Sequence, residues 1–515
     1  MDRRVFARSL VVLFLFSLSR CAAPEDASSA PNERGARPNV LVVMADDQSY
    51  PHASAYGCRF VRTPGFDRVA REGILFDHAF VSAPSCAPSR ASFLTGQEFF
   101  RLAEASMNHA AWPEGLLSVA DHLAAAGYSA GYTGKGWGPG DAESGRSGTS
   151  PTGRPYQERK RVGPGGAIEG VDYAANFRAF LDEVPRGDPF FFWVGFAEPH
   201  RPYAAGEGEA SGIRVESADV PAFLPDAPEV RSDLADYALA IERADAALVS
   251  ILATLRERGQ LERTLIVVTA DNGMPFPGAK STLYDPGTRV PLAIRWGGSW
   301  RGGRSIRDLV GSADLAPTIL EAAGIPVPGE MTGRSLVPLL RSGRSGRLDP
   351  TRDAVLVGLE RHAPGARQGG AGYPMRGVRT ERYLYIRNAN SRANPAGDLP
   401  GAVWPGGDPV GGFGDVDASP TKTFLFEERD RLPTLAKRVF EPRPREELYR
   451  LEDDPDQLRN RAGEPEFEAI RALLLRRLEG TLKRFDDPRI NGEGSRFEAI
   501  ARRFPAALRA PAPVR

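Results

Sequence analysis

The chain contains 515 residues, 41% of them hydrophobic, and its 66 basic and 66 acidic residues leave no net charge. This length and hydrophobic content are enough for more than one buried core, which predicts two domains. The balanced charge argues against a broad nucleic-acid-binding surface.

Residues 1–23 have the pattern of an export signal. A basic start precedes the apolar run Ser9–Leu18, which is too short to span a bilayer. Two alternatives stay open for its processing, namely cleavage after small residues and lipid attachment at Cys21. We therefore expect an exported protein, periplasmic or secreted, with a polar linker over residues 24–37.

Strand-like and helix-like segments alternate over residues 38–348. Apolar runs predict strands at NVLVVMADD, SAGYTG, PFFFWVGFAEPH, TLIVVTADNG and RVPLAIRWGG. TPGFDRVAREG predicts a helix capped by Thr63 and stopped by Gly73, LLSVADHLAAAGY predicts another, and a long helix is expected over Asp233–Arg258. Continuous apolar strands separated by helices predict an α/β fold with a mainly parallel sheet.

Polar side chains follow three of these strands. They are the segments Asp46–Asp47, Glu198–His200 and Asp271–Asn272. Because ligands in open α/β sheets bind beyond the carboxyl ends of the strands, we expect the three segments to meet at one edge. The acids and the amide offer only oxygen ligands, which calcium or magnesium prefers. For each acidic pair alone, the alternative is a helix cap or a turn.

The pattern changes over residues 349–490 to that of a smaller α+β domain. MRGVRTERYLYIRN predicts a strand pair, and a helix is expected over Glu464–Phe485. Between them, Ala389–Pro420 is rich in glycine and proline and predicts a long loop, functional or partly disordered. Residues 491–515 are expected to form a tail.

Cys86, in SAPSCAPSRASFLTG, lies in a polar turn rather than among the large apolar residues that surround a structural thiol. Pro88 and Ser89 are expected to open a helix, which places Cys86 near its positive end, and Arg90 adds a fixed charge. A thiolate nucleophile usually needs a histidine base, and none is close in sequence. Once the signal is removed only Cys58 remains beside it, so no disulfide framework is expected. The motif indicates something other than a plain thiol.

The segment CAPSRASFLTG resembles the Cys-x-Pro-Ser-Arg signature of the type I sulfatases, in which the cysteine is oxidised to formylglycine. The resemblance extends from NVLVVMADD to ELYRLEDDPDQLRN, nearly the whole mature chain. Within the family it is closest to the heparan N-sulfatases (N-sulfoglucosamine sulfohydrolases), through DNGMPFPGAKSTLYDPGT, PMRGVRTERY and MTGRSLVPLL. It implies an alkaline-phosphatase-like sheet flanked by helices, followed by a small domain with an antiparallel sheet and a helix.

The resemblance also implies roles for individual residues. Cys86, as formylglycine, would form a hydrate that attacks sulfur, and Arg90 would steady that hydrate. Lys135 and Lys280 would bind the sulfate, and His200 would hydrogen-bond it or protonate the leaving group. One calcium ion would be bound by Asp46, Asp47, Cys86, Asp271 and Asn272.

Each of these candidates has a plainer interpretation. Lys135 lies between two glycines, which favours close approach to a ligand, but a solvated loop lysine has the same surroundings in sequence. Lys280, without the resemblance, would be read as a surface lysine. His78 and His122 are expected to be structural. Weaker candidates for the substrate pocket are His52, His109, Glu198, Glu360 and His362.

Trp137 departs from the family pattern. Many sulfatases have a histidine at this position, two residues beyond the lysine that corresponds to Lys135, and an indole donates only one N–H. Either His200 protonates the leaving group alone, or the leaving group needs less help. The departure leaves the choice between N-sulfate and O-sulfate open.

The expected function is removal of sulfate, from an O-sulfate ester or an N-sulfamate, on a sulfated glycan, after maturation by a formylglycine-generating enzyme. One alternative is a phosphonate monoester or phosphodiester hydrolase of the same superfamily. Another is a glycan-binding protein without turnover. No nucleic-acid partner is expected, and the oligomeric state, the sugar and endo or exo action stay open.

Overall fold

A computed structural model describes residues 37–503 apart from 143–145, 147–148, 163–167 and 401–407. The expected export signal, almost all of the linker and the last residues of the expected tail lie outside the described residues. Within the described part of the chain, no helix is both long enough and apolar enough to cross a membrane.

Strands and helices alternate along most of the described chain. The strands are β1 (Asn39–Ala45), β2 (Ile74–Phe76), β3 (Ala79–Phe80), β4 (Ala110–Ala111), β5 (Ser129–Gly134), β6 (Gly140–Asp141), β7 (Arg154–Pro155), β8 (Lys160–Val162), β9 (Ile168–Val171), β10 (Phe190–Gly195), β11 (Thr264–Ala270), β12 (Arg289–Val290), β13 (Leu292–Trp296), β14 (Arg304–Ile306), β15 (Val310–Gly311), β16 (Ala354–Leu359), β17 (Met375–Thr380), β18 (Tyr383–Asn388) and β19 (Glu446–Arg450). The α-helices are α1 (Pro64–Glu72), α2 (Cys86–Thr95), α3 (Val119–Ala125), α4 (Tyr173–Glu183), α5 (Glu207–Ala210), α6 (Pro228–Glu257), α7 (Asp285–Thr288), α8 (Leu315–Ala322), α9 (Val337–Arg341), α10 (Pro420–Glu427), α11 (Pro433–Phe440), α12 (Glu468–Arg484) and α13 (Ser495–Arg503).

The central sheet has the strand order β14-β2-β13-β11-β1-β10-β5-β7. β1 lies between β11 and β10 and runs parallel to both, with Val42 opposite Val267 and Trp193. Every residue of these three strands is buried, as expected for parallel strands covered on both faces. β13 is the exception within the core, because it pairs antiparallel with β11 and β2. The prediction of a mainly parallel α/β sheet is confirmed.

Apolar helix faces cover this sheet on both sides. On one side α2 and α8 contribute Phe93 and Ile319 to a core that includes Trp193. On the other side α1, α4 and α6 pack against side chains such as Phe192 and Val268. The sheet is therefore fixed from both faces, and its carboxyl edge is a rigid place from which to present polar side chains.

Helix boundaries follow the sequence signals for α1 but differ at the starts of α6 and α2. α1 begins and ends where the sequence predicts. α6 begins at Pro228, earlier than the predicted Asp233, because a proline suits the first turn of a helix. α2 begins at Cys86 rather than at Pro88, since the chain is extended only up to Ser85. Cys86 is therefore the first residue of a helix, not a residue that precedes one.

The smaller sheet is antiparallel, in the order β16-β17-β18-β19, and contains the predicted strand pair as β17 and β18. α12 packs on it through Leu474, close to Tyr385. This helix begins at Glu468 rather than Glu464, after a 3-10 turn at Pro465–Phe467. The expected small α+β part of the fold is confirmed.

The structure agrees with the predicted long loop but differs from the predicted C-terminal tail. The described residues between 389 and 419 contain no helix or strand, as the predicted loop requires. The expected tail at 491–515, in contrast, includes α13, whose Phe497 and Ile500 are buried in the same core as α12. Residues three apart share one helix face, and this short apolar face is enough to dock the helix.

Candidate active site

Three strand ends meet at one edge of the central sheet. The N–H of Asp46, just after β1, donates to Glu198 O at 3.1 Å, and that of Asp271, just after β11, donates to Ala45 O at 3.1 Å. The N–H of Asp47 donates to Asp271 Oδ1 at 3.1 Å. The parallel register of β1 with both neighbours thus brings the three polar segments together, as the sequence predicts.

The acids at this edge form a compact set of oxygen ligands. Carboxylate oxygens of Asp46, Asp47 and Asp271 all lie within 4.8 Å of one another. Asn272 Nδ2 donates to Asp47 Oδ1 at 2.7 Å, and Asn272 Oδ1 is buried without a hydrogen-bond partner among the described residues. A buried acceptor left unpaired is costly. These four side chains therefore fit a hard cation, which takes carboxylate and amide oxygens.

Burial and charge act in opposite directions on this acid cluster. Burial alone would raise the pKa of Asp46, but the positive charges of Lys135 and His200 outweigh it and hold that pKa well below its usual range. For Asp271, burial and the neighbouring Asp46 carboxylate raise the pKa above its usual value. Adjacent carboxylates with such unlike proton affinities need more positive charge nearby before all of them can be ionised.

Cys86 opens α2 and faces the acid cluster. Its Sγ lies 3.4 Å from Asp46 Oδ1, and the residue is only 2% exposed. Burial raises the pKa of the Cys86 thiol well above its ordinary value, and the Asp46 charge raises it further. The thiol is therefore protonated at neutral pH and a poor nucleophile, because the thiolate is the reactive form. Residue 86 therefore lies against the acid cluster, but its protonated thiol is not suited to act as a nucleophile.

Arg90 lies one turn further along α2 and is fully buried. Its Nε donates to Asp271 Oδ2 at 2.7 Å, and its Nη1 donates to the backbone oxygens of Lys135 and Gly136 at 2.8 and 3.0 Å. Its Nη2 is 4.0 Å from Asp46 Oδ1 and has no hydrogen-bond partner among the described residues. A fixed guanidinium with one free donor is suited to an anionic oxygen.

Two lysines add positive charge to the same edge. Lys135 Nζ donates to Asp46 Oδ2 at 2.5 Å, and Lys280 Nζ donates to Asp47 Oδ2 at 2.7 Å and to Asp417 Oδ2 at 3.3 Å. Burial alone would lower the pKa of Lys280, but the carboxylates of Asp417 and Asp47 raise it well above its usual value. Both lysines are therefore ammonium ions beside the acids, and neither is a solvated surface lysine.

The segment that carries Lys135 reaches the site because β10 ends in Gly195. The N–H of Lys135 donates to Gly195 O at 2.7 Å, and Trp193 Nε1 donates to Lys135 O at 3.0 Å. A Cβ at position 195 would lie 1.7 Å from Lys135 O. Any residue with a side chain at this position would push Lys135 away from the acids.

His200 lies at the mouth of the site, after β10. Its Nδ1 donates to Arg201 O at 2.5 Å, and its Nε2 lies 3.8 Å from Asp47 Oδ2. Arg201 is held in turn by two hydrogen bonds to Asp233 of α6, at 2.7 and 2.8 Å. The His200 side chain is 31% exposed, so Nε2 can reach a bound molecule.

Two of the weaker substrate candidates have structural partners. Glu360 is buried and pairs with Arg376 and with Arg489, each at 2.5 Å, so it stabilises the smaller sheet and does not join the site. Glu198 accepts from Tyr173 Oη at 2.8 Å while its backbone pairs with β1's end. Its carboxylate is half-buried beside the site rather than within the acid cluster.

The three weaker histidine candidates differ in burial and in contacts. His52 is buried, and its ring packs edge-on against the rings of Phe60 and Tyr237. His109 is exposed at the surface, and partial desolvation of its ring, together with the charges of Arg361 and Lys135, lowers its pKa. His362 is buried with its Nδ1 2.8 Å from Ser85 Oγ, next to the reacting position.

Sequence reasoning missed Asp417, which contacts Lys280 from the predicted long loop. Its Oδ1 is buried and has no hydrogen-bond partner among the described residues. A single aspartate in a glycine-rich loop matches no motif, and the expectation of a functional loop was the only signal that pointed to it.

Trp137, the departure from the family pattern, is a core residue. Its indole N–H donates to Ala87 O at 2.9 Å, and its ring packs edge-on against Trp112 with 5.3 Å between the centroids. The residue is 5% exposed. Its N–H is therefore used by the first turn of α2 and is not offered to a ligand.

We expect Trp137→His to lower the free energy of unfolding by about 2–4 kcal/mol, because the smaller polar ring leaves part of the core unfilled. Chemical unfolding measures this change, and initial rates measured in parallel should show no gain in kcat. A variant that kept the wild-type stability and turned over faster would contradict the assignment of Trp137 to the core.

The chain matches the sulfatase family over residues 38–325, more than half of its length, and the C-terminal region of N-sulphoglucosamine sulphohydrolase over residues 279–394. It is 29% identical to human N-sulphoglucosamine sulphohydrolase over 493 aligned positions, which cover 85% of this chain and 89% of the relative. The resemblance seen in the sequence is confirmed.

Solved structures share the fold. BT4656, in complex with its substrate D-glucosamine-2-N,6-O-disulfate, aligns with a TM-score of 0.60 at 19% identity, over 88% of this chain and 98% of that one. The phosphonate monoester hydrolase of Agrobacterium radiobacter aligns with a TM-score of 0.59 at 20% identity, over 87% and 96%. From its family match and its alkaline-phosphatase-like fold, the chain belongs to the sulfatase family and is a sulfuric ester hydrolase.

Proposed function

We propose that the protein hydrolyses an N-sulfamate or an O-sulfate ester on a sulfated glycan and so releases sulfate. Residue 86 acts in this reaction as formylglycine. The observation that carries the proposal is the position of Cys86, whose side chain is buried 3.4 Å from the acid cluster. Arg90, Lys135 and Lys280 surround that position with positive charge, which suits an anionic reacting group. The similarity to an N-sulphoglucosamine sulphohydrolase supports a sulfated amino sugar as the substrate.

Asp46, Asp47, Asp271 and Asn272 would bind one calcium ion, with the modified residue 86 as a further ligand. Support comes from a buried donor set of oxygens alone and from the unpartnered Asn272 Oδ1. When bound, the ion supplies positive charge where sulfate oxygens gain negative charge. It would also allow all three aspartates to be ionised together.

The surrounding side chains have separate tasks in this proposal. A hydrated aldehyde at residue 86 supplies one hydroxyl to attack sulfur and a second whose deprotonation releases sulfate. Arg90, fixed by three hydrogen bonds, offers Nη2 to the oxygen of that residue. Lys135 and Lys280 bind sulfate oxygens. His200 donates from Nδ1 to the carbonyl of Arg201, so its Nε2 donates to the sulfate or to the leaving group in the form of the ring that carries both protons.

Maturation and export are part of the same proposal. Cys86 is almost fully buried in the folded chain, so a formylglycine-generating enzyme would have to act before folding is complete. The export signal at residues 1–23 would then direct the protein to the periplasm or outside the cell. For this signal, lipid attachment at Cys21 and ordinary cleavage after small residues are both open alternatives.

A phosphonate monoester or phosphodiester hydrolase is the second candidate, favoured by the shared fold with the Agrobacterium enzyme. The three cations argue against it. A sulfate ester or sulfamate presents three non-bridging oxygens to the site, whereas those phosphorus substrates present two, which share one negative charge, and a bulky substituent. The site is therefore better matched to sulfate.

We expect matured enzyme to hydrolyse glucosamine N-sulfate or p-nitrophenyl sulfate at least about 100-fold more efficiently than a phosphonate monoester or a phosphodiester. The measurement is kcat/KM for each substrate with one enzyme preparation. Preference for a phosphorus substrate would establish the second candidate. Binding of sulfated glycan without turnover of any substrate would indicate a glycan-binding protein that lacks catalysis.

A further inference from the structure

A cavity of about 660 Å³ lies beside the smaller sheet. Its walls are residues of β15, β16 and α12, together with residues around 332–334. The acids, lysines, histidines and arginine of the active site described above are not among the described residues that line it. Small-molecule sites have volumes of about 300–1,000 Å³. The cavity is therefore large enough for a ligand of its own.

Four arginines line the cavity, and two of them are paired with carboxylates. Arg352 is buried, and its Nη1 donates to Asp314 Oδ2 at 2.7 Å. Arg477, from α12, forms an ion pair with Asp353. Asp314 and Asp353 also line the cavity, so these two pairs add no net charge to it.

The other two arginines, Arg334 and Arg484, have donors left for a ligand. Arg334 Nη1 donates to Thr351 Oγ1 at 2.9 Å and lies 3.7 Å from Asp349 Oδ2, which is too far for a hydrogen bond. Arg484, from α12, is exposed and forms no ion pair within the described part of the chain. Guanidinium groups of this kind bind carboxylate and sulfate oxygens through charge-assisted hydrogen bonds.

Glu98 is a third acid in the lining. Its Oε2 accepts from Ser82 Oγ at 2.6 Å. Burial raises the pKa of Glu98 to about 7, and the nearby Asp314 carboxylate contributes to the rise. Glu98 is therefore partly neutral at pH 7 and offsets the charge of the two free arginines only in part. Among the described residues, the lining is net positive.

The remaining lining residues suit a sugar. Phe485 is half-buried, and the Arg484 guanidinium lies 4.7 Å from its ring centroid. Thr332, Thr351 and Thr481 line the cavity as well. The C–H face of a sugar ring packs on an aromatic ring, and its hydroxyls exchange hydrogen bonds with threonine hydroxyls, which both donate and accept. An aromatic ring beside hydroxyls and free cations is suited to an anionic saccharide.

We propose that this cavity is a second saccharide-binding site, for an oligosaccharide that carries sulfate or carboxylate groups. A sugar ring lies on Phe485, and its anionic substituent binds the free donors of Arg334 and Arg484. Binding here uses neither an aldehyde at residue 86 nor a calcium ion, so the inference does not depend on the proposed function. The site retains an anionic glycan on the protein independently of turnover.

Titration calorimetry of the full-length Cys86→Ala protein, which should not consume the probe, tests the site. The probe is a sulfated tetrasaccharide prepared from heparin, at an ionic strength of about 0.15 M so that weak surface attraction is screened. The titration should contain a binding event that adding Arg484→Glu weakens roughly tenfold or more, because repulsion replaces a charge-assisted hydrogen bond. Phe485→Leu, which keeps an apolar side chain but removes the flat ring, should weaken the same event.

Arg476→Glu is the matched control. Arg476 is exposed on the same helix, but it is not among the described residues that line the cavity. Its reversal makes the same change in net charge as Arg484→Glu and should leave the affinity within about twofold. Equal weakening by both charge reversals would reduce the binding to general attraction by α12 and overturn the site. Unchanged affinity in both Arg484→Glu and Phe485→Leu would overturn it as well.

Two further comparisons test the ligand class and the separation from the active site. A neutral tetrasaccharide of N-acetylglucosamine should bind at least about tenfold more weakly than the sulfated probe, and equal binding would overturn the anionic class. In matured enzyme, Arg484→Glu should leave kcat/KM for p-nitrophenyl sulfate within about twofold. A large loss there would show that the cavity is not separate from the active site. Intact binding at the cavity, in matured enzyme that hydrolyses no sulfate, would overturn the proposed function alone.

Discussion

Replacing Cys86 with alanine is expected to lower kcat/KM for glucosamine N-sulfate by at least about 10⁴-fold, because alanine cannot carry an aldehyde and leaves no nucleophile at sulfur. The fold should survive, since the substitution removes a single sulfur atom at the first turn of α2. Initial rates measure the loss of turnover, and thermal unfolding shows that the variant is folded.

The matched control for this variant is Cys58→Ala. Cys58 is half-buried and packs against the core under α6, away from the acid cluster. Its replacement should leave kcat/KM within about twofold of the wild-type value. Wild-type turnover by Cys86→Ala would show that residue 86 is not the nucleophile.

Removal of calcium is expected to abolish turnover, and its return to restore it. Because the ion binds the folded protein and balances three buried carboxylates, a saturating concentration should also raise the Tm of chelator-treated enzyme by about 3 °C or more. Asp271→Asn removes one of these ligands and should lose both effects. Thermal unfolding with and without calcium measures binding independently of activity.

Asp245→Asn is the matched control for Asp271→Asn. It tests whether replacing a buried aspartate outside the acid cluster also abolishes the effects of calcium. The Asp245 carboxylate accepts from the N–H groups of Gly65 and Phe66 at the start of α1, at 2.7 and 2.8 Å. Its replacement should lower the Tm but preserve the rise on adding calcium. Turnover that persisted after chelation, with no shift in Tm on adding calcium, would mean that the acid cluster does not bind the ion.

The central part of the site could be predicted because its geometry follows from a local rule. Three apolar strands end in polar residues, and parallel strands of one sheet bring their carboxyl ends to the same edge. Asp46, Asp47 and Asp271 could therefore be placed together from their sequence positions alone. The position of Cys86 at a helix start followed in the same way, with an error of two residues in where that helix begins.

The outer part of the site could not be predicted, because it depends on contacts between segments distant in sequence. Asp417 meets Lys280 across 137 positions, and His362 meets Ser85 across 277. No periodicity or spacing reports such pairs. Glu360 shows the converse. The sequence analysis includes it among the weaker substrate candidates, but its carboxylate pairs with arginines from the smaller sheet and from the segment before α13.

The packing of Trp137 could not be predicted from the sequence either. A tryptophan among glycines after Lys135 occupies a position where a ligand-binding residue was expected. Only the fold shows that its indole closes the core beneath α2 and bonds Ala87. Local sequence therefore located this residue near the site, but the direction of its side chain was set by tertiary packing.

The chemical state of residue 86 is measured most directly by the mass of the tryptic peptide Glu72–Arg90 from active enzyme purified from its native host. Formylglycine predicts a peptide that has lost one sulfur and two hydrogens and gained one oxygen relative to the encoded sequence, together with the reactivity of an aldehyde. A peptide with an intact thiol, in enzyme that turns over sulfate at its full rate, would contradict the proposal that residue 86 acts as formylglycine.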